Sequence, residues 1–243
     1  MRQLFTSSPY LPPPEPEPIL KIMREHGVER FVKRGEIVKP LLDNHRLYLV
    51  EEGVCCYYGL NMAHPFIPFL LLPGRTLGDI TTLGHRIYNL EWRAVTDTRI
   101  LVVPPSVLTE TVLGDPELAR LKVQHLISKE ESSLEGMSAN FTLPPALRIK
   151  ILLKELLKAT GRMKDEGWMM LPYRIPAEVI GLVVNLTRAN VSRTISDWIK
   201  HGLVRRVGQD IEVHFDLFED LYDWLETRRS KGLNNLRDDL PRG

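Results

Sequence analysis

The hydrophobic pattern changes period twice along the chain. Residues 28–104 carry short apolar or alternating segments separated by Gly, Pro and Asn, at 28–32, 37–39, 46–51, 54–58, 67–72, 91–94 and 99–103. Segments this short are not stable singly and together describe a small all-β domain. Closing them into a barrel or jelly roll removes unpaired strand edges and encloses room for a small ligand. A short helix at 19–26, stopped by Gly27, precedes them.

At Asp115-Pro116 the period becomes helical, with Pro in the first turn and Glu117 placed well against the helix dipole. The predicted helix, 115–141, is roughly 37 Å long. Two apolar seams compete on it: Leu118, Leu121, Ile127, Leu134 and Met137, or the heptad series Val123, Ile127, Leu134 and Met137. Gln124, Glu130 and Gly136 interrupt them, so a strong coiled coil is not expected. A helix this long between two domains calls for a partner, and a second copy of the chain is the economical one. Leu143-Pro144-Pro145 ends it, and a further helix follows at 146–160.

The most informative stretch is 175–204, two predicted helices joined by a tight turn. In the second, Val191, Ile195, Trp198 and Ile199 recur at helical spacing, while Arg188, Asn190, Ser192, Arg193 and Ser196 lie off that stripe. Gly208-Gln209-Asp210 then separates 203–207 from 211–214, which predicts a hairpin. A last helix is expected over 215–228. The chain is therefore read as α+β: a proline-rich tail at 1–18, a β-barrel domain at 19–114, a long helix at 115–141, a domain at 142–229 that carries this helix pair and hairpin, and a polar tail at 230–243. Pro12, Pro13, Pro14, Pro16 and Pro18 make the first of these an extended, unpacked segment in this reading.

Composition narrows the class. With 243 residues, 43% hydrophobic and 26% charged, the chain is an ordinary globular one with room for two cores. The apolar run at 69–72 is far short of the roughly 20 residues that span a bilayer, so no membrane partner is expected. The N-terminus has no signal-like apolar core, which predicts a cytoplasmic location. Cys55 and Cys56 are adjacent in a strand, where side chains alternate, and cannot readily clamp one metal. Two thiols also fall short of the four that an iron–sulfur cluster usually takes, and seven scattered histidines, His85 and His125 among them, show no ligand spacing. No cofactor is predicted. The net charge of +1 is uneven: residues 174–206 hold six basic and two acidic side chains. Phosphate contacts would need that excess.

Chemistry follows from this stretch. Thr187 is a suitable N-cap, and Arg188, Asn190 and Ser192 fall in the first turn and a half, the part of a recognition helix that meets base edges. Arg suits guanine and Asn adenine, while Arg205 and Arg206 in the hairpin suit phosphates. A helix pair alone is an ordinary structural unit. Helix, turn, capped helix, Gly and basic hairpin in this order point to double-stranded DNA. Two rival classes remain: a cupin-type metalloenzyme, which would need a clustered His-x-His and carboxylate set, and a ligand-binding module whose helical domain contacts protein.

The run 186–204, LTRANVSRTISDWIKHGLV, resembles the recognition helix of bacterial regulators of the cyclic-AMP receptor and fumarate-nitrate regulator (Crp/Fnr) family. Thr187, Arg188, Val191, Ser192 and Arg193 match its pattern; Ala189 and Asn190 depart. Ala189 stands where many members have a base-reading glutamate, and a methyl can touch thymine but cannot accept from cytosine. Residues 33–37, 49–53 and 72–79 resemble the turn motifs of the family's cyclic-nucleotide-binding-like jelly roll, and 115–119 the start of its dimer helix. The resemblance implies a homodimeric transcription regulator with a winged helix-turn-helix, working with RNA polymerase, not an enzyme. The DNA-contacting set would be Thr187, Arg188, Ala189, Asn190, Ser192, Arg193, Arg205 and Arg206. The effector pocket would be Gly78, Asp79, Tyr88 and Asn89, with Ser133 and Leu134 on the helix. Tyr88-Asn89 stand where cyclic-AMP-binding members carry an arginine pair, so a different small molecule, a redox signal or no effector is expected.

Overall fold

The computed structural model describes residues 4–39, 46–59, 65–84, 90–160, 162–163, 167–208 and 210–221. They fall into two units, one of residues 11–133 and one combining 1–10 with 134–243.

The unit of residues 11–133 opens with helix α1 (Glu17–His26). Pro18 sits in its first turn, and Ile19, Leu20 and Met23 form its buried face. Strands β1 (Val28–Val32), β2 (Ile37–Lys39), β3 (Leu47–Glu52), β4 (Cys55–Gly59), β5 (Leu70–Leu71), β6 (Thr76–Leu77), β7 (Leu90–Ala94) and β8 (Thr98–Val103) follow, with helix α2 (Asp79–Gly84) between β6 and β7. Where the pattern suggested a barrel or jelly roll, the described strands form two four-stranded antiparallel sheets, ordered β1-β8-β3-β6 and β2-β7-β4-β5, and no closed barrel. Their inner sides share one core: Tyr48, Val50 and Ile100 from the first, Cys55, Tyr57, Trp92 and Ala94 from the second. Alternation along β3 turns Leu47 and Leu49 the other way, onto Ile19 and Met23 of α1. That strand is buried on both faces, which is why it reads as a continuous apolar run.

The expected strand at 67–72 shrinks to two residues because Pro68 and Pro73 cannot donate to a ladder. Two elements left no pattern to find, β6 and α2, each shorter than one hydrophobic period. Between them Gly78 takes φ 90°, and a Cβ there would lie 2.6 Å from the Arg46 carbonyl oxygen, so a side chain is excluded.

Helix α3 (Pro116–Thr142) starts where the sequence placed it. The Asp115 carboxylate caps it, accepting from the amides of Glu117 at 2.8 Å and Leu118 at 3.0 Å. The two candidate seams are sorted by burial. Leu118 and Leu121 pack against the α1 core, while Val123, Ile127, Leu134, Met137 and Phe141 stay 48–79% exposed in a single stripe.

In the other unit, helix α4 (Pro145–Thr160), strands β9 (Arg162–Met163) and β10 (Trp168–Met170), helices α5 (Ala177–Val184) and α6 (Arg188–Lys200) and strands β11 (Val204–Val207) and β12 (Asp210–His214) follow the last turns of α3. The strands form one antiparallel sheet, ordered β11-β12-β10-β9. A 3-10 segment, Phe215–Leu221, occupies the start of the expected last helix; residues 222–243, with the polar tail, lie outside the described residues.

The N-terminal segment is not the unpacked tail its prolines suggested. Tyr10 is fully buried at φ 65°, and Leu11 and Glu15 are 3% and 2% exposed. Prolines exclude helix and ladder, but they leave carbonyl acceptors and apolar rings free to pack.

Candidate nucleic-acid interface and buried charge cluster

Local rules alone shape the helix pair. Asn185 ends α5 in the left-handed conformation, φ 52° and ψ 55°, which asparagine tolerates. The Leu186 amide then donates back to the Gly181 carbonyl at 2.8 Å. Gly181 is the residue that sequence reasoning missed: a Cβ there would lie 2.4 Å from the Leu186 carbonyl oxygen, so the tight turn requires glycine. Thr187 opens α6 as expected, its hydroxyl accepting from the Asn190 amide at 3.2 Å. Gly202, at φ 72°, closes the helix, and the Leu203 amide bonds back to the Trp198 carbonyl at 2.9 Å.

This frame holds α6 by Val191 and Trp198, both buried, with Ile195 and Ile199 partly covered. Thr187, Arg188, Ala189, Asn190, Ser192 and Arg193 are all exposed. Arg188 and Arg193 form no ion pair among the described residues. The hairpin arginines divide. Arg206 is exposed, whereas Arg205 donates through Nε to the buried Glu212 carboxylate at 2.7 Å and lies 4.0 Å above the Trp168 ring. Arg205 thus neutralises the charge of a buried carboxylate.

The expected effector residues are only partly brought together. Tyr88 and Asn89, like His85, lie outside the described residues. Leu134 is 48% exposed on the apolar stripe of α3 and Ser133 is partly exposed; the buried serine is Ser132, which donates to the Leu11 carbonyl at 3.4 Å. Asp79 is fully buried in a cluster the sequence reading did not anticipate. Lys129 Nζ stands 3.0 and 3.1 Å from its two carboxylate oxygens, and Lys122 Nζ 3.3 Å from one of them. Lys122 also donates to Glu15 at 2.5 Å, and the Thr76 hydroxyl donates to the same Glu15 oxygen. His125 Nε2 donates to the Pro13 carbonyl at 3.1 Å. The signal was present as residues 122, 125, 129 and 132, which recur every three or four positions and share one helix face. Charged residues at that spacing normally describe a solvated face.

The electrostatics are self-contained. Burial opposes ionisation of Asp79, but Lys129 and Lys122 outweigh it and hold the carboxyl far below the usual carboxylate range. Burial likewise opposes the charge on Lys122, and Asp79 and Glu15 more than restore it. Burial keeps His125 below its ordinary value, favouring a neutral ring with its proton on Nε2. Glu15, Asp79 and His125 bring ligand atoms within 4.8 Å of one another, the spacing of a metal site. Two ammonium groups already contact those carboxylates, so the cluster is neutralised by lysine. The two thiols lie elsewhere in the core, and burial pushes each up to about 12, far from the reactive thiolate range.

The fold is that of solved bacterial regulators. FixK2 from Bradyrhizobium japonicum superimposes with a TM-score of 0.65 at 19% identity, over 89% of this chain and 98% of that one. TTHB099, a transcriptional regulator of the CRP family from Thermus thermophilus, gives 0.65 at 18%, over 81% and 98%. A CooA mutant from Carboxydothermus hydrogenoformans gives 0.61 at 20%, over 93% and 91%. No protein-family profile matches the chain, and no curated protein matches it in sequence. The chain therefore shares the Crp/Fnr architecture at sequence distances where only the fold carries over.

The charge cluster sets a pH dependence. A carboxyl held below its unfolded value stabilises the folded state at all pH above that value, and the contribution is lost as pH falls toward the folded one. Asp79→Asn should therefore cost about 3–5 kcal/mol at pH 7, where buried Lys129 loses its carboxylate and Lys122 keeps only Glu15. The gap from the unsubstituted protein should narrow below about pH 4. Urea denaturation from pH 7 to pH 3 measures it; a gap that stays constant or widens on acidification contradicts the assignment.

Proposed function

We propose that the protein is a sequence-specific, homodimeric DNA-binding transcription regulator whose β domain responds to a small molecule. The observation that carries this reading is helix α6: capped by Thr187, anchored by Val191 and Trp198, and presenting exposed Arg188, Asn190, Ser192 and Arg193 on its free side. With the hairpin β11–β12 it makes a winged helix-turn-helix, and its first turns enter the major groove. Arg206 is the hairpin's phosphate contact, while Arg205 acts by holding the hairpin on Glu212. Ala189 removes the acceptor that would read cytosine, so the operator differs there from sites read by a glutamate. RNA polymerase is the downstream partner in this reading.

Pairing is assigned to α3. Val123, Ile127, Leu134, Met137 and Phe141 are spaced by four, seven, three and four residues, the rhythm of a heptad seam, and all are exposed. Glu130, also exposed, falls on the one seam position left open between Ile127 and Leu134. Two copies paired along this stripe would set the separation of their recognition helices, about 34 Å for adjacent major grooves. The β domain's double-sheet jelly roll then serves as the sensor. Asp79 is engaged by Lys129 and Lys122, an arrangement unlike an arginine-lined cyclic-phosphate site, which supports an effector other than cyclic AMP. The raised thiols of Cys55 and Cys56 favour a small molecule over oxidation as the signal.

Two results test the reading. Arg188→Ala with Arg193→Ala should abolish sequence-specific gel retardation of a promoter fragment while circular dichroism stays unchanged; each lost base contact is worth about 1–3 kcal/mol. Binding by the unsubstituted protein should weaken steeply between 50 and 200 mM salt, as expected for about six or more phosphate contacts. Full binding by the double variant, or a flat salt response, refutes the DNA role. Along the seam, Ile127→Asp should shift sedimentation toward monomer, and Glu130→Val should tighten the dimer by removing a like-charge pair. No change in either variant removes α3 as the pairing element.

A further inference from the structure

The N-terminal segment is bound to the β domain as a ligand would be. Its carbonyls each receive a side-chain donor: Ser132 to Leu11 at 3.4 Å, Arg75 to Pro12 at 2.7 Å and His125 to Pro13 at 3.1 Å. Prolines cannot donate, so an extended proline segment is read through its carbonyls in just this way. Its buried carboxylate, Glu15, joins the charge cluster. The Glu15 amide donates to the Gly74 carbonyl at 2.8 Å, and its fully buried carboxylate meets Lys122 and Thr76.

The fit is incomplete. All of Glu15's hydrogen bonds go to Oε1, while Oε2 is buried and finds no partner among the described residues. His125 Nδ1, which carries no proton in the neutral ring, lies 3.4 Å from Oε1 and is likewise buried without a hydrogen-bond partner among the described residues. Buried polar atoms of this kind are normally satisfied. A buried carboxylate bonded through one oxygen only is held less firmly than one bonded through both.

We infer that Lys122 and Thr76, with His125 beside them, form a carboxylate-binding site, that Glu15 is its built-in occupant, and that a small free carboxylate regulates the protein by displacing it. This rests on the effector-controlled reading above and names the device and ligand class at that site. Displacement has somewhere to go. Five residues before Glu15, Tyr10 belongs to the unit that carries the recognition helix. There its hydroxyl donates to Asn140 Oδ1 at 2.9 Å, and Asn140 Nδ2 donates to the Val183 carbonyl, in the last turn of α5, at 2.9 Å. Gly136 leaves room for the Tyr10 ring; a Cβ would lie 2.8 Å from it. The stretch between is Leu11-Pro12-Pro13-Pro14, too stiff to absorb slack.

The test uses the full chain without DNA, so its failure is separable from failure of the DNA assignment. The side chain of Glu15 corresponds to propionate, of which Glu15→Ala keeps only the first carbon. Sodium propionate at 100 mM, against sodium chloride at equal ionic strength, should raise the melting temperature of Glu15→Ala by several degrees and leave Glu15→Ala/Lys122→Met unmoved. In the unsubstituted protein, hydrogen exchange over residues 10–20 should rise at least threefold with propionate, and Glu15→Gln should show the same rise without it. Absence of rescue in folded Glu15→Ala overturns the proposal. If that variant does not fold, exchange that ignores both propionate and Glu15→Gln overturns it instead.

Discussion

A lysine ammonium removed from water must find a carboxylate, and the buried half of α3 is organised by that requirement. Lys122 and Lys129 are almost wholly enclosed and stand on the same helix face. Asp79 answers both, and it is placed to do so because Gly78 lets the chain turn sharply out of β6 at φ 90°. Glu15 supplies the second negative charge from the N-terminal segment. Each of the four charges is costly alone; together they pin the long helix, the strand end at Thr76 and the arm to one another. An apolar face could have packed the same surfaces, but without dictating which residue of α3 meets which part of the sheets.

The opposite side of α3 obeys a different rule. Its apolar stripe is left uncovered in a single chain, and a contiguous exposed stripe of this kind marks an interaction surface. One helix thus carries a charged face that recognises the chain's own arm and an apolar face suited to a second copy. In the proposed reading, a signal that alters the first acts beside the second.

Much of this architecture was legible in the sequence because period and punctuation are local. The helix starts at Asp115 and Thr187, the stop at Gly202 and the hairpin around Gly208 each follow from one or two residues whose backbone preferences leave little choice. The exposed face of α6 was equally plain, since Val191 and Trp198 set its orientation. What escaped was non-local. Glu15 lies 107 residues from Lys122, and no pattern within either segment announces the pair. The prolines around Glu15 argued correctly against helix and strand but said nothing of burial. The pairing of Arg205 escaped for a similar reason: its charge suggested phosphate, while its cross-strand neighbour Glu212, visible only once the hairpin register is set, also engages it. Strand count left barrel and jelly roll open, and it was pairing order that resolved the strands into two sheets.

The central claim is that two copies of this chain read DNA together through α6. Selection from a random duplex pool with the full-length protein tests it most directly. The account predicts enrichment of an inverted repeat whose half-site centres lie one helical turn apart, about 34–36 Å. Recovery of no enriched sequence, or of a single unrepeated half-site, would contradict it.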